Sequence, residues 1–257
     1  MDEKVIFDEE DFVKIGDGDT IIFDEDFLGK AEEQIIKVVL EWNGGADLDI
    51  SAIMLNASGK VTNKADLVFY GSERRWKAED KEQNPFDGEV SLWENCSAQY
   101  KNKIEWQDDT LPISLDDSVI GSWDDRGGVP VAINSEILHI QLDKIDIRKY
   151  RKIAIIATIN LPTTRDVNGR IRMLEGEKFK DIINPVVKIY NATEKRQLLQ
   201  YNMDNKSPNA DAVCCGYMQY NEEKASWEFL AAEVGYCGRK DGDYYKGGIL
   251  LVANSFV

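Results

Sequence analysis

A chain of 257 residues, 43% of them apolar, can bury a large core and is too apolar for a disordered polymer. Its 47 acidic and 31 basic residues leave a net charge of −16, which repels a phosphate backbone and sets nucleic acid aside as a partner. Cations and basic protein surfaces suit that field better, although an acidic surface also serves solubility alone.

The opening, MDEKVIFDEEDF, lacks a basic stretch followed by an apolar one, so no signal peptide is expected. Val13 to Phe23 sets apolar residues around Gly16-Asp17-Gly18-Asp19 and reads as a hairpin, its aspartates serving turn chemistry. Strands follow at Ile36 to Glu41, Leu48 to Leu55 and Ala65 to Tyr70, with a turn at Ser58-Gly59. In Ile137 to Leu142, Leu138, Ile140 and Leu142 share one face. Ile153 to Ile159 is nearly continuous β-rich sequence, as in a central strand buried on both faces. Further strands are expected at Val186 to Tyr190, Arg196 to Tyr201, Val213 to Gln219 and Trp227 to Ala232, with connectors at Asp143 to Lys149 and Asp204 to Asp211. The expectation is an all-β, two-sheet β-sandwich, one domain over residues 1–257, with long loop insertions and few short helices.

Two segments read as insertions. Glu73 to Asp109 is polar yet holds Trp76, Phe86, Trp93, Tyr100 and Trp106, which fits either a sheet extension or a partner-binding arm. Leu161 to Lys180 contains Asn168-Gly169, which marks a projecting hairpin.

No apolar run is long enough to cross a bilayer, so no membrane insertion and a cytoplasmic location are expected. The four cysteines, Cys96, Cys214, Cys215 and Cys237, have no CxxC spacing and read as reduced thiols. There is no P-loop, GxGxxG, GxSxG or HExxH. The lone histidine, His139, sits mid-strand with no nucleophile beside it in sequence, so no catalytic residue is assigned. Any two of the many carboxylates could still converge as a hydrolytic pair. Asp47 and Asp49 are two apart, so on a strand both carboxylates project from one face and favour a hard cation such as calcium between them; two solvated loop aspartates are the alternative.

Taken in order, these pieces resemble the TerD family of bacterial tellurite-resistance and stress proteins. VKIGDGDTIIF resembles the family's N-terminal hairpin, and VVLEWNGGADLDISAIMLNASGKV its tryptophan strand, Asp-x-Asp and following strand. LVFY resembles the next strand, and DDSVIGSWDD (Asp116 to Asp125) the segment leading into an Asp-Asn pair. SEILHIQLDKI resembles an acidic loop end with its amphipathic strand, and WEFLAAEVGYCG a Trp-x-Phe strand with a Gly-Tyr pair.

The resemblance implies a β-sandwich that binds calcium through acidic loops at one end. It assigns the ligand set Asp47, Asp49, Asp124, Asp125, Gly128 and Glu136. The family's Gly/Asp-rich loop ends in Asp-Asp-Glu, whereas this chain has Asn134-Ser135-Glu136, so one weakly held calcium ion is implied rather than two. The implied role is a non-enzymatic stress-response or tellurite-resistance-type module acting with other stress-response proteins, partly through the aromatic insertion. The alternatives are an acidic-site hydrolase or transferase, and an interaction module that has lost calcium.

Overall fold

The sequence patterns become strands where β-branched and aromatic residues accumulate. The computed structural model describes residues 12–29, 34–77, 110–122, 133–204, 206–242 and 244–257. The chain begins with β1 (Val13–Ile15), β2 (Thr20–Phe23) and a one-turn helix α1 (Glu25–Leu28). Next come β3 (Ile35–Asn43), β4 (Leu48–Leu55), β5 (Leu67–Val68) and β6 (Arg75–Lys77). After the segment 78–109 follow β7 (Thr110–Pro112), β8 (Val119–Gly121), β9 (Ile133–Gln141) and β10 (Lys152–Ile159). A small hairpin, β11 (Thr163–Arg165) and β12 (Ile171–Met173), precedes β13 (Ile183–Asn191) and β14 (Arg196–Asn202). The chain closes with β15 (Ala212–Asn221), β16 (Ser226–Tyr236), β17 (Arg239–Asp241), β18 (Tyr244–Lys246) and a helix α2 (Ile249–Asn254).

Two six-stranded sheets face each other. The first runs β1-β14-β13-β3-β9-β8 and the second β2-β16-β15-β10-β4-β5. Their inner faces supply one core, with Val38, Leu40 and Trp42 from β3, Leu138 and Ile140 from β9, and Ile153, Ile155 and Ala157 from β10. The expected two-sheet sandwich is therefore the fold. β10 pairs β15 on one side and β4 on the other, as its unbroken apolar run requires.

Each sheet also carries a cover on its outer face. The β6–β7 hairpin lays Trp76, Leu111 and Ile113 over Ile35 and Ile120 of the first sheet. Helix α2 lays Ile249, Val252 and Ala253 over Ile53, Ala154, Ile156 and Cys214 of the second. These covers explain why β4 is buried along its whole length and why His139, opposite the Leu138/Ile140 face, is itself buried. Burial, with Lys37 beside it, pushes the His139 imidazole down to about 3. Cys214 and Cys215 are free, buried thiols on opposite faces of β15, and Cys237 is an exposed free thiol. Burial pushes the Cys214 thiol up to about 11. Cys96 lies outside the described residues.

Two expectations change here. Val13 to Phe23 is not a hairpin: β1 pairs β14 in the first sheet, and β2 pairs β16 in the second. The Gly16 to Asp19 turn exists, with Asp19 accepting from the Gly16 N–H at 2.7 Å, but it hands the chain from one sheet to the other. Asp17 does more than turn chemistry. It accepts from the Glu233 backbone N–H at 2.8 Å and pairs Lys206 at 2.7 Å. The Lys206 ammonium holds the Asp17 carboxyl below the usual carboxylate range.

Of the segment read as an insertion at 73–109, residues 73–77 are described and end in β6, whose Trp76 is buried; residues 78–109, with the other aromatics, lie outside the described residues. Residues 161–180 do form a hairpin. It turns at Asp166 to Gly169, where Gly169 takes φ +75°, and leaves Val167 fully exposed. The hairpin joins β18 and β17 in a small four-stranded sheet.

Candidate metal centre

The loop between β3 and β4 is set by groups far apart in sequence. Trp42, buried in the inter-sheet core, donates its indole N–H to the Ala46 carbonyl at 2.8 Å. Gly44 takes φ +98°, a conformation that costs a side-chain-bearing residue dearly, and its carbonyl accepts from the Asn134 amide at 2.7 Å. The chain therefore reaches Asp47 in a fixed orientation. Asp47 lies one residue before β4 and accepts from the Asn160 side-chain amide at 2.9 Å, while its carbonyl accepts from the Asn160 backbone N–H at 2.8 Å.

Asp49 is the second residue of β4 and is 2% exposed. Alternation along β4 puts Leu48, Ile50, Ala52 and Met54 in the inter-sheet core and Ile53 and Leu55 under α2. Asp49 thus falls on the outer-facing row, across from Thr158 of β10. Glu136 comes from the other sheet, on the same row of β9 as Leu138 and Ile140, and is 4% exposed. Beyond the short strand β5, which pairs only Ala52 and Ile53, the edge of β4 has no neighbouring strand among the described residues. The Glu136 Oε2 takes that place and accepts from the Ile50 N–H at 2.6 Å. Two buried carboxylates therefore meet consecutive residues of β4 from different sides.

More carboxylates gather at this pole. Asp211, fully buried, stands 3.8 Å from the Lys178 ammonium, which lies 4.5 Å from the centre of the Tyr245 ring. Gly238 and Gly247 let the chain close over it, since a Cβ at either would fall within 2.5 Å of Asp211 Oδ2. Glu233 accepts from the Asp204 N–H at 2.9 Å and also from the Lys206 N–H.

Of the six residues assigned to the ion, Asp47, Asp49 and Glu136 are placed at one end of the sandwich. Asp124, Asp125 and Gly128 lie outside the described residues. Among the described residues no three Asp, Glu, His or Cys side chains form a group sized for a metal ion. The donor set is nonetheless oxygen-only, the chemistry that suits calcium. Sequence reasoning missed Trp42, Asn134 and Asn160 as the residues that orient the loop. The replacement of an expected carboxylate by Asn134 was the one visible signal, and its amide is the group that holds Gly44.

Residues 28–86, which include Asp47 and Asp49, match the model of the TerD domain. The TerD resemblance holds over that stretch. Two solved structures share a loose likeness to about four fifths of the chain. One is SAV2460, a protein of unknown function, at a TM-score of 0.47 and 15% identity, covering 80% of this chain and 91% of that one. The other is SCO6318 from Streptomyces coelicolor A3(2), described as a homologue of a telluride resistance protein (TerD), at 0.45 and 18%, with the same coverage. No curated protein matches the sequence. Among the described residues no helix is long and apolar enough to cross a membrane.

Proposed function

We propose that this chain is a calcium-binding, non-enzymatic module of the tellurite-resistance and stress-response type, working in the cytoplasm through protein partners. The observation that carries the reading is the pair Asp49 and Glu136, 2% and 4% exposed, brought to consecutive residues of β4 within the TerD-matching stretch. Buried carboxylates are expensive unless a cation or hydrogen bonds compensate them. Calcium accepts six to eight oxygens in flexible geometry, and Asp47, Asp49 and Glu136 would hold it together with Asp124, Asp125 and the Gly128 backbone. When bound, the ion supplies charge neutralisation and fixes the loops. His139, pushed down to about 3 by burial, is not poised as a general base near neutral pH. A net charge of −16 suits partners with basic surfaces, and the aromatic residues of 73–109 give a candidate contact segment.

The test is thermal melting of chelator-stripped protein with and without millimolar calcium, for the parent chain and Asp49→Asn. Binding at a hundredfold excess over Kd stabilises by about 2.7 kcal/mol, a rise of several degrees for a domain of this size. Magnesium raises the midpoint less, because it holds its waters in a tighter shell. Asp49→Asn loses most of the calcium response. An unmoved parent midpoint rejects the calcium site, and equal shifts in both proteins move the ion elsewhere.

A further inference from the structure

Strand β15 bulges against both of its neighbours. Cys214 pairs Ile156 and Val234, and Gly216 pairs Ile155 and Ala231, so Cys215 is passed over on either side. On β16 the same irregularity passes over Ala232 and Glu233. Bulges re-aim side chains, and here Cys215 and Met218, an odd number of residues apart, both face the inter-sheet core. Only glycine fits beside Cys215, since a Cβ at Gly216 would fall 2.5 Å from the Phe229 ring and 2.7 Å from the Leu230 carbonyl oxygen.

The opposite sheet meets this bulge with two unusual groups. Met203 follows β14, and its N–H still donates to the Pro185 carbonyl at 3.2 Å, so it continues the row of Tyr201. The Cys215 Sγ donates to the Met203 Sδ at 3.9 Å. Tyr201 is fully buried, and its hydroxyl has no hydrogen-bond partner among the described residues. Burial, then Glu233, Asp17 and Cys215, push that phenol above its ordinary range, so it stays a neutral donor. Burial also pushes the Cys215 thiol well up, which keeps it protonated until a cation arrives. One residue beyond Met203 the chain is exposed, at Asp204, so the sulfur pair lies just inside the surface.

We propose that Cys215 and Met203 form a site for a soft monovalent cation of the copper(I) class, with Tyr201 as its supporting donor. A thiolate and a thioether select such an ion. On binding, the Cys215 Sγ–H bond breaks, the proton leaves to solvent and an Sγ–copper bond forms, with no change of oxidation state. Thiolate and monovalent ion together are neutral, the form a dry core tolerates. Two metal–sulfur bonds of about 2.3 Å span up to ~4.6 Å, so one ion takes both sulfurs close to where they stand, 3.9 Å apart. The Tyr201 hydroxyl then donates to the thiolate and gains the partner it lacks.

The test uses the full chain with Cys96→Ser and Cys237→Ser, which leaves Cys214 and Cys215 as its thiols. Copper(I) is supplied without oxygen as its bicinchoninate complex, whose fading colour reports transfer. The calcium reading plays no part in this result. One equivalent is expected to transfer, unchanged in Cys214→Ala and lost in Cys215→Ala. Met203→Leu and Tyr201→Phe each weaken binding about tenfold or more. Tyr201→Phe removes only an unpartnered hydroxyl, so the copper-free protein keeps its melting midpoint while the affinity falls, a combination that misfolding cannot imitate. Absence of transfer, transfer that survives in Cys215→Ala, or an affinity that neither Met203→Leu nor Tyr201→Phe changes overturns the proposal.

Discussion

Glu136 has two separable duties, and a pair of substitutions distinguishes them. Its Oε2 satisfies the buried Ile50 N–H at 2.6 Å, where β4 has no neighbouring strand among the described residues. Glu136→Ala leaves that N–H unsatisfied, at about 1–3 kcal/mol, and removes one buried methylene, at about 0.8 kcal/mol. Relief of a buried charge offsets part of this, so the expected loss is about 2 kcal/mol. For a chain of this length that lowers the midpoint by about 4–8 °C. Glu136→Gln keeps an acceptor oxygen in place and loses only the charge-assisted share of the bond, about 1 kcal/mol or less. Urea denaturation of chelator-stripped proteins gives both values, with m unchanged if the native and unfolded states keep their extents. Calcium then separates the second duty, since the Gln variant is expected to respond little to the ion despite its near-parental stability. A Glu136→Ala protein within about 0.5 kcal/mol of the parent would refute the edge-satisfaction argument, that threshold being the ordinary scatter of neutral substitutions. A full calcium response in Glu136→Gln would remove Glu136 from the ligand set.

His139 gives a pH dependence with a defined sign. Its folded pKa, about 3, lies below the unfolded value near 6.5, so its contribution is complete above pH 6.5 and falls by about 1.4 kcal/mol per pH unit as pH drops toward 3. Stability measured against pH should therefore decline less steeply between pH 6 and 4 in His139→Gln than in the parent; parallel curves would contradict this. Trp76→Ala strips the main side chain from the cover on the first sheet and should cost about 3 kcal/mol by chemical denaturation. A loss under about 1 kcal/mol would mean that the β6–β7 hairpin rests on the sandwich without stabilising it.

The sandwich was readable wherever a strand carried its own periodicity. Ile153 to Ile159 reads as a doubly buried strand because both faces are covered, and Leu138/Ile140 against His139 marks a face correctly even though both faces end up buried. Pairing partners were not readable. The Gly16 to Asp19 turn looks the same whether its arms pair together or join different sheets, and the edges at Leu199 and Phe229 that claim them lie some two hundred residues away. Helix α2 escaped notice because Ile249 to Asn254 is too short to display a helical period. At the acidic pole the carboxylates were legible as residue types. The bonds that aim them, such as Asn134 to Gly44 and Glu136 to Ile50, join positions 90 and 86 residues apart and leave no local trace.

The divided N-terminal segment has a consequence for the order of assembly. β1 waits for Leu199 to Tyr201 of β14, and β2 for Trp227 to Leu230 of β16, so neither can dock until most of the chain exists. At ribosomal speeds of about 5–20 residues per second, the first strands spend roughly 10–40 seconds without their edges. Once made, β14 and β16 stay open to any other extended chain nearby until β1 and β2 dock on them. Their docking is a double closure, in which one short stretch of early sequence covers an edge of both sheets, and pairing across so long a stretch of chain is intrinsically slow.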